Sequence, residues 1–118
     1  MAILVIEHVS KFFGGLAANS DVSFSMEEGS IMGLIGPNGA GKTTLFNCIT
    51  GYYPPSKGVI WFEGRKMNGL QPDKVCKLGM ARTWQKVRPL AKMTVLDNVV
   101  VGALARTNSL RVAREMAM

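Results

Sequence analysis

Apolar and polar residues alternate, cluster and repeat in different ways along this chain, and each pattern predicts an element. A β-branched apolar run predicts a short strand over 2–9. Val22, Phe24 and Met26 alternate with Ser23 and Ser25, the period-two pattern of a half-buried strand. Glu28-Gly29-Ser30 then reads as a turn. The segment 31–35 is a short apolar run bounded by glycines, which predicts a buried strand. Leu45, Phe46 and Ile49 lie three and four apart, so 42–50 reads as a helix with one apolar face and Gly51 as its C-cap. After a loop over 52–58, residues 59–62 predict another strand, closed by Gly64. Pro72 suits a first helical position and Gly79 a stop, which predicts a helix over 72–78. The stretch 80–85 is extended or loop-like, and Pro89 keeps the next residues irregular. Thr94, with Asp97 three residues on, predicts an N-cap and a helix over 95–106. The stretch 107–118 is weakly amphipathic and is expected to fray. The chain shows no internal repeat and no low-complexity segment.

Between the apolar run and the first helix lies Gly36-Pro37-Asn38-Gly39-Ala40-Gly41-Lys42-Thr43, a full match to G-x-x-x-x-G-K-[ST]. The chemistry explains each residue type. Glycines let the backbone wrap a triphosphate and aim successive N–H groups inward, with no Cβ atoms in the way. The helix that starts near Gly41 points its positive dipole end and free N–H groups at the same phosphates. Lys42 adds a full positive charge for the β- and γ-phosphates, and the Thr43 hydroxyl is a hard oxygen ligand for Mg²⁺. Thr44 is a candidate further donor to phosphate. A chance match in a chain this long is on the order of one in a few hundred. The strand–loop–helix context therefore favours phosphate binding over an incidental glycine-rich turn.

Composition narrows the class. At 118 residues and 47% hydrophobic, the chain holds apolar material for a core in one domain or part of one. Its two cysteines are too few for a disulfide framework, and with His8 as the one histidine no zinc site assembles from the usual spacings. A reducing, cytoplasmic setting fits best. No segment has the basic and apolar regions of a signal peptide, and none approaches the roughly 20 apolar residues of a membrane span. Membrane association is therefore expected through a partner. The net charge of +6 is lopsided: residues 1–64 carry −2 and residues 65–118 carry +8. The basic residues are scattered and form no run, so nucleic acid is not the expected partner. No guanine-reading N-K-x-D segment occurs, which argues against a GTPase.

The residues around the loop are more specific. Val9-Ser-Lys-Phe-Phe-Gly14, Ala18-Asn-Ser-Asp-Val-Ser23, Gly36 through Thr44, Asn47-Cys-Ile-Thr-Gly51, Gly58 through Gly64, Arg82-Thr-Trp-Gln85 and Met93 through Val99 resemble the ATP-binding subunits of ABC transporters. The wording of Gly14-Gly-Leu, of Arg82-Thr-Trp-Gln and of the Met93 segment is closest to the branched-chain amino-acid importer type. The resemblance implies an α/β P-loop NTPase fold with an N-terminal antiparallel β portion and the start of a helical subdomain. It implies ATP and Mg²⁺ as ligands. Phe13 takes the place of the aromatic residue that stacks on adenine, and Gln85 that of the Q-loop glutamine, a second metal ligand beside Thr43. It further implies membrane subunits of a transporter as partners, contacted near 85–99, and a second ATP-binding subunit that sandwiches nucleotide head to tail. The location implied is peripheral, on the cytoplasmic face of the membrane.

Three parts of the family's catalytic apparatus have no match in these residues: the LSGGQ-type signature, the Walker B run ending in Asp-Glu, and the switch histidine. Glu27-Glu28 is a tandem acid pair, but it precedes the loop and comes after an alternating strand. His8 also precedes the loop. The expectation is therefore the N-terminal part of an ABC ATP-binding domain over 1–118, one that binds ATP without turning it over alone. Two further readings stay open on the sequence. One is an ABC-type ATPase of DNA repair or chromosome handling. The other is a truncated, non-hydrolysing nucleotide-binding module.

Overall fold

The computed structural model describes residues 1–86 and 88–104. The chain divides into two compact units, Met1–Val75 and Cys76–Met118.

The first unit is built on a four-stranded antiparallel sheet of order β2-β1-β3-β4. Strands β1 (Ala2–Phe13) and β2 (Leu16–Glu27) form a long hairpin that closes where Phe13 pairs with Leu16. Gly14 supplies a left-handed φ of 58° at the turn between them. Both strands outrun the patterns at 2–9 and 22–26, because ladder pairing continues through polar residues such as Lys11 opposite Asn19. On the other side of β1 lies β3 (Lys57–Phe62), and the short β4 (Arg65–Lys66) pairs with it. That two-residue strand carries no sequence pattern of its own.

Packing follows the apolar stripes. Ile6 and Val9 of β1 and Ile60 and Phe62 of β3 are buried, as are Leu45, Cys48 and Ile49 of helix α1 (Lys42–Ile49). Each such Ile or Val contributes about 1.5–3 kcal/mol by leaving water. The helix ends one residue before the expected 50, with Thr50 rather than Gly51 as its C-cap and Gly51 just beyond at φ 89°. The side chain of Asn68 takes the place of a further strand beside β3: Ile60 N–H donates to its Oδ1 at 2.9 Å, and its Nδ2 donates to Gly58 O at 2.9 Å. Helix α2 (Pro72–Lys77) straddles the boundary of the units, and its Val75 is buried.

One expected element is not there. Residues 31–35 form no strand, and Ile31 and Ile35 are 100% and 95% exposed. An apolar run becomes a strand only where neighbours take its N–H and C=O groups. Among the described residues no strand lies alongside it, so the buried strand expected before the loop is an irregular lead-in.

In the second unit the described residues of 78–86 and 88–94 are largely irregular, as Gly79 and Pro89 indicate. Helix α3 (Val95–Ala103) starts where expected: Thr94 is the N-cap, and Asp97 N–H donates to its Oγ1 at 3.0 Å. Asn98 ties the preceding loop to this helix, accepting from Leu90 N–H at 2.8 Å and donating to Thr94 O at 2.8 Å. The last residues of the expected helix, 105 and 106, and the stretch 107–118 lie outside the described residues.

Candidate functional site

The glycine-rich loop sits between the lead-in 31–35 and α1, and its shape comes from its residues. Ala40 N–H donates to Pro37 O at 3.1 Å, which closes a tight turn over Asn38 and Gly39. Gly39 (φ 87°) and Gly41 (φ 93°) both take the left-handed conformation that favours glycine. Gly36 faces Ala40 so closely that an added Cβ would lie 3.0 Å from the Ala40 Cβ.

Gly41 is the N-cap of α1 and carries no side chain to cap it. The first-turn N–H groups, those of Lys42, Thr43 and Thr44, have no acceptor within the helix. No acid occupies that turn either, so nothing opposes an incoming anion there. The Lys42 ammonium folds back over the loop, donating to the carbonyl of Gly36 and, at 3.5 Å, to that of Pro37. Thr43 is exposed and Thr44 half-buried. A lysine ammonium, unsatisfied helical N–H groups and glycines at positive φ are a donor set suited to a polyanion.

The loop is seated on β2. A Cβ on Gly41 would lie 2.2 Å from the carbonyl oxygen of Ala18 and 2.6 Å from Asn19 Nδ2. Asn19 Nδ2 also donates to Gly41 O at 3.0 Å, sharing that acceptor with Leu45 N–H, which opens the helical ladder at 2.9 Å. Phe13 closes the same hairpin. It faces Leu16, two residues from Ala18, so about 7 Å of strand separates them.

The Phe13 ring is 43% exposed and meets Tyr53 edge-on, with centroids 5.5 Å apart and an 81° interplanar angle. The Lys11 ammonium lies 5.3 Å from the Phe13 centroid and 5.4 Å from that of Tyr53, and donates to Pro54 O at 3.0 Å. Phe12 N–H donates to Ser56 Oγ at 3.0 Å. The tip of β1 is thus tied to the 53–56 loop, which fixes Phe13 and leaves its ring partly open to solvent.

Gln85 belongs to the second unit, where it is exposed on a bend near Arg82 and Trp84, themselves stacked at 3.9 Å. The loop residues and Phe13 therefore share one unit, while Gln85 belongs to the other. Among the described residues no cluster of three or more His, Cys, Asp or Glu could hold a metal ion. A shallow concavity of about 180 Å³ lies at the C-terminal end of α1 against Cys48, Tyr53 and Asn68, and the phosphate loop lines none of it. Burial pushes the Cys48 thiol above its ordinary value, partly offset by the Lys11 charge, so it is a packing group rather than a nucleophile. Asn19 falls within the 18–23 stretch that carries the family resemblance but has no role assigned there, and Tyr53 lies in the loop over 52–58, so neither is legible as a site residue in the sequence.

The family model described as ABC transporter matches residues 19–118, loop included. This chain belongs to the ABC transporter family. Its relatives within that family are consistent. It is 45% identical over 101 residues to a probable branched-chain amino acid transport ATP-binding protein LivG of Archaeoglobus fulgidus, covering 86% of this chain and 39% of the relative. It is 41% identical over 107 residues to the high-affinity branched-chain amino acid transport ATP-binding protein BraF of Pseudomonas aeruginosa, covering 91% and 42%. The chain thus spans about two fifths of the curated relatives it matches. Among solved structures, an ATP-binding cassette of an ABC transporter in its ADP conformation superposes with a TM-score of 0.79 at 36% identity, covering 98% of this chain and 46% of that one. The ABC cassette fold, an α/β P-loop architecture with an antiparallel sheet, is as the sequence resemblance implies. The DNA-repair reading is not favoured by any of these relatives.

Proposed function

We propose that this chain binds Mg-ATP as the nucleotide-cradling part of an ABC transporter subunit that energises import of branched-chain amino acids. The observation that carries the reading is the seating of the glycine loop and α1 on the hairpin that ends in Phe13. One ladder thereby carries both a polyanion cradle and an exposed aromatic ring, the two halves of a nucleoside triphosphate site.

Each residue has a task. Backbone N–H groups of Gly39 through Thr44 receive phosphate oxygens at the dipole end of α1. Lys42 exchanges two neutral carbonyl acceptors for charged phosphate oxygens, a stronger charge-assisted pairing. Thr43 would offer its hydroxyl to Mg²⁺, and a metal role for Gln85 rests on the sequence resemblance alone. A bound Mg²⁺ would neutralise part of the triphosphate charge. Phe13 stacks on adenine, held by Tyr53 and Lys11. Import of branched-chain amino acids, membrane subunits as partners through 85–99, a paired second cassette and a peripheral cytoplasmic location rest on the relatives' names and the sequence resemblance.

The aromatic part of the reading is tested separately from the phosphate part. Phe13→Ala should weaken Mg-ATP binding by about 5- to 150-fold, the worth of one base–aromatic stack. It should leave binding of inorganic tripolyphosphate unchanged, and Phe13→Tyr should retain ATP affinity. Competition titration with the two ligands checks this; equal ATP affinity in Phe13→Ala would remove Phe13 from the site.

A further inference from the structure

We infer that Asn19 is a positioning residue for the phosphate loop, kept at the expense of stability; the inference rests on the nucleotide-binding reading above. Asn19 lies inside β2, opposite Lys11, and is only 7% exposed. Its Nδ2 donates to Gly41 O at 3.0 Å, which fixes the amide orientation, because the flipped amide would set two oxygens against each other. Its Oδ1 is buried and has no hydrogen-bond partner among the described residues. A buried acceptor left unmade costs more than an ordinary hydrogen bond returns. An apolar side chain of the same size would suit this strand interior better for folding alone.

What the amide does provide is a clamp on one atom. Gly41 O is the first acceptor of the α1 ladder, receiving Leu45 N–H as well. The same residue stands in the left-handed region, with Ala18 O closing off one side of its Cα. Asn19 therefore sets where α1 begins and how its free N–H groups face the loop. It does so from the strand whose first residue, Leu16, pairs with Phe13. Removing the clamp leaves the donors in place but lets them fluctuate, and preorganisation is lost to the ligand.

The two effects run in opposite directions, which separates positioning from mere structure. Asn19→Leu should unfold at the same temperature as the parent or higher, and should bind Mg-ATP about three- to tenfold more weakly. Asn19→Val, whose β-branched side chain suits a strand, carries the same expectation and serves if Asn19→Leu does not fold. Calorimetric titration with Mg-ATP and thermal unfolding are measured on the same samples. Unchanged ATP affinity in a folded variant overturns the inference alone. So does a loss of affinity that tracks a loss of stability. Absence of Lys42-dependent ATP binding in the parent overturns the nucleotide reading and the inference with it.

Discussion

Gly41→Ala is expected to abolish measurable Mg-ATP binding, a loss of at least about 100-fold, and to lower stability by about 2–4 kcal/mol. Two terms add. A φ of 93° costs a side-chain-bearing residue about 1–2 kcal/mol. The added Cβ would also fall 2.2 Å from Ala18 O and 2.6 Å from Asn19 Nδ2, so β2 and α1 must separate. That separation moves the first-turn N–H groups off the phosphates and breaks the Asn19 bond. Gly39 is the internal control. It has a φ of 87° but open space around it, so Gly39→Ala bears the conformational cost alone. Titration and thermal unfolding of the two variants side by side decide the matter. Equal behaviour would mean that seating on β2 is unimportant.

Gly58→Ala should destabilise the first unit by about 3 kcal/mol or more, from a position outside the phosphate loop. The β1–β3 register slips between Glu7 and Ser10, where β1 bulges with His8 at φ 50°. Gly58 fits under that bulge at φ 87°, and a Cβ there would lie 2.3 Å from His8 O and 2.4 Å from Glu7 O. Both contacts are with backbone, which cannot swing aside as a side chain would. Urea unfolding should show a lower midpoint, or no folded baseline at all. A midpoint like that of the parent would show the bulge to be pliable.

The contrast between these two glycines shows what the chain alone reveals. Gly41 is legible because phosphate chemistry imposes a motif of fixed spacing, and the motif also locates α1. The N-cap at Thr94 is legible because its partner, Asp97, is three residues away. Gly58 is silent, because its role depends on a bulge in a strand some fifty residues earlier. Asn19 is silent for the same reason: it lies ahead of the alternating pattern at 22–26, and nothing local marks it as buried until the loop is seen to lie on it. Residues 31–35 mislead in the other direction. Their apolar run promises burial, but burial requires neighbouring strands that a local pattern does not specify.

The reading of the site turns on whether Lys42 and the loop hold a triphosphate, and calorimetric titration of the protein with Mg-ATP, beside Lys42→Ala, tests that most directly. Saturable binding that weakens at least about 100-fold in a folded Lys42→Ala variant is the result the geometry predicts. Equal affinity in the two proteins, or no binding by a folded parent, would contradict it.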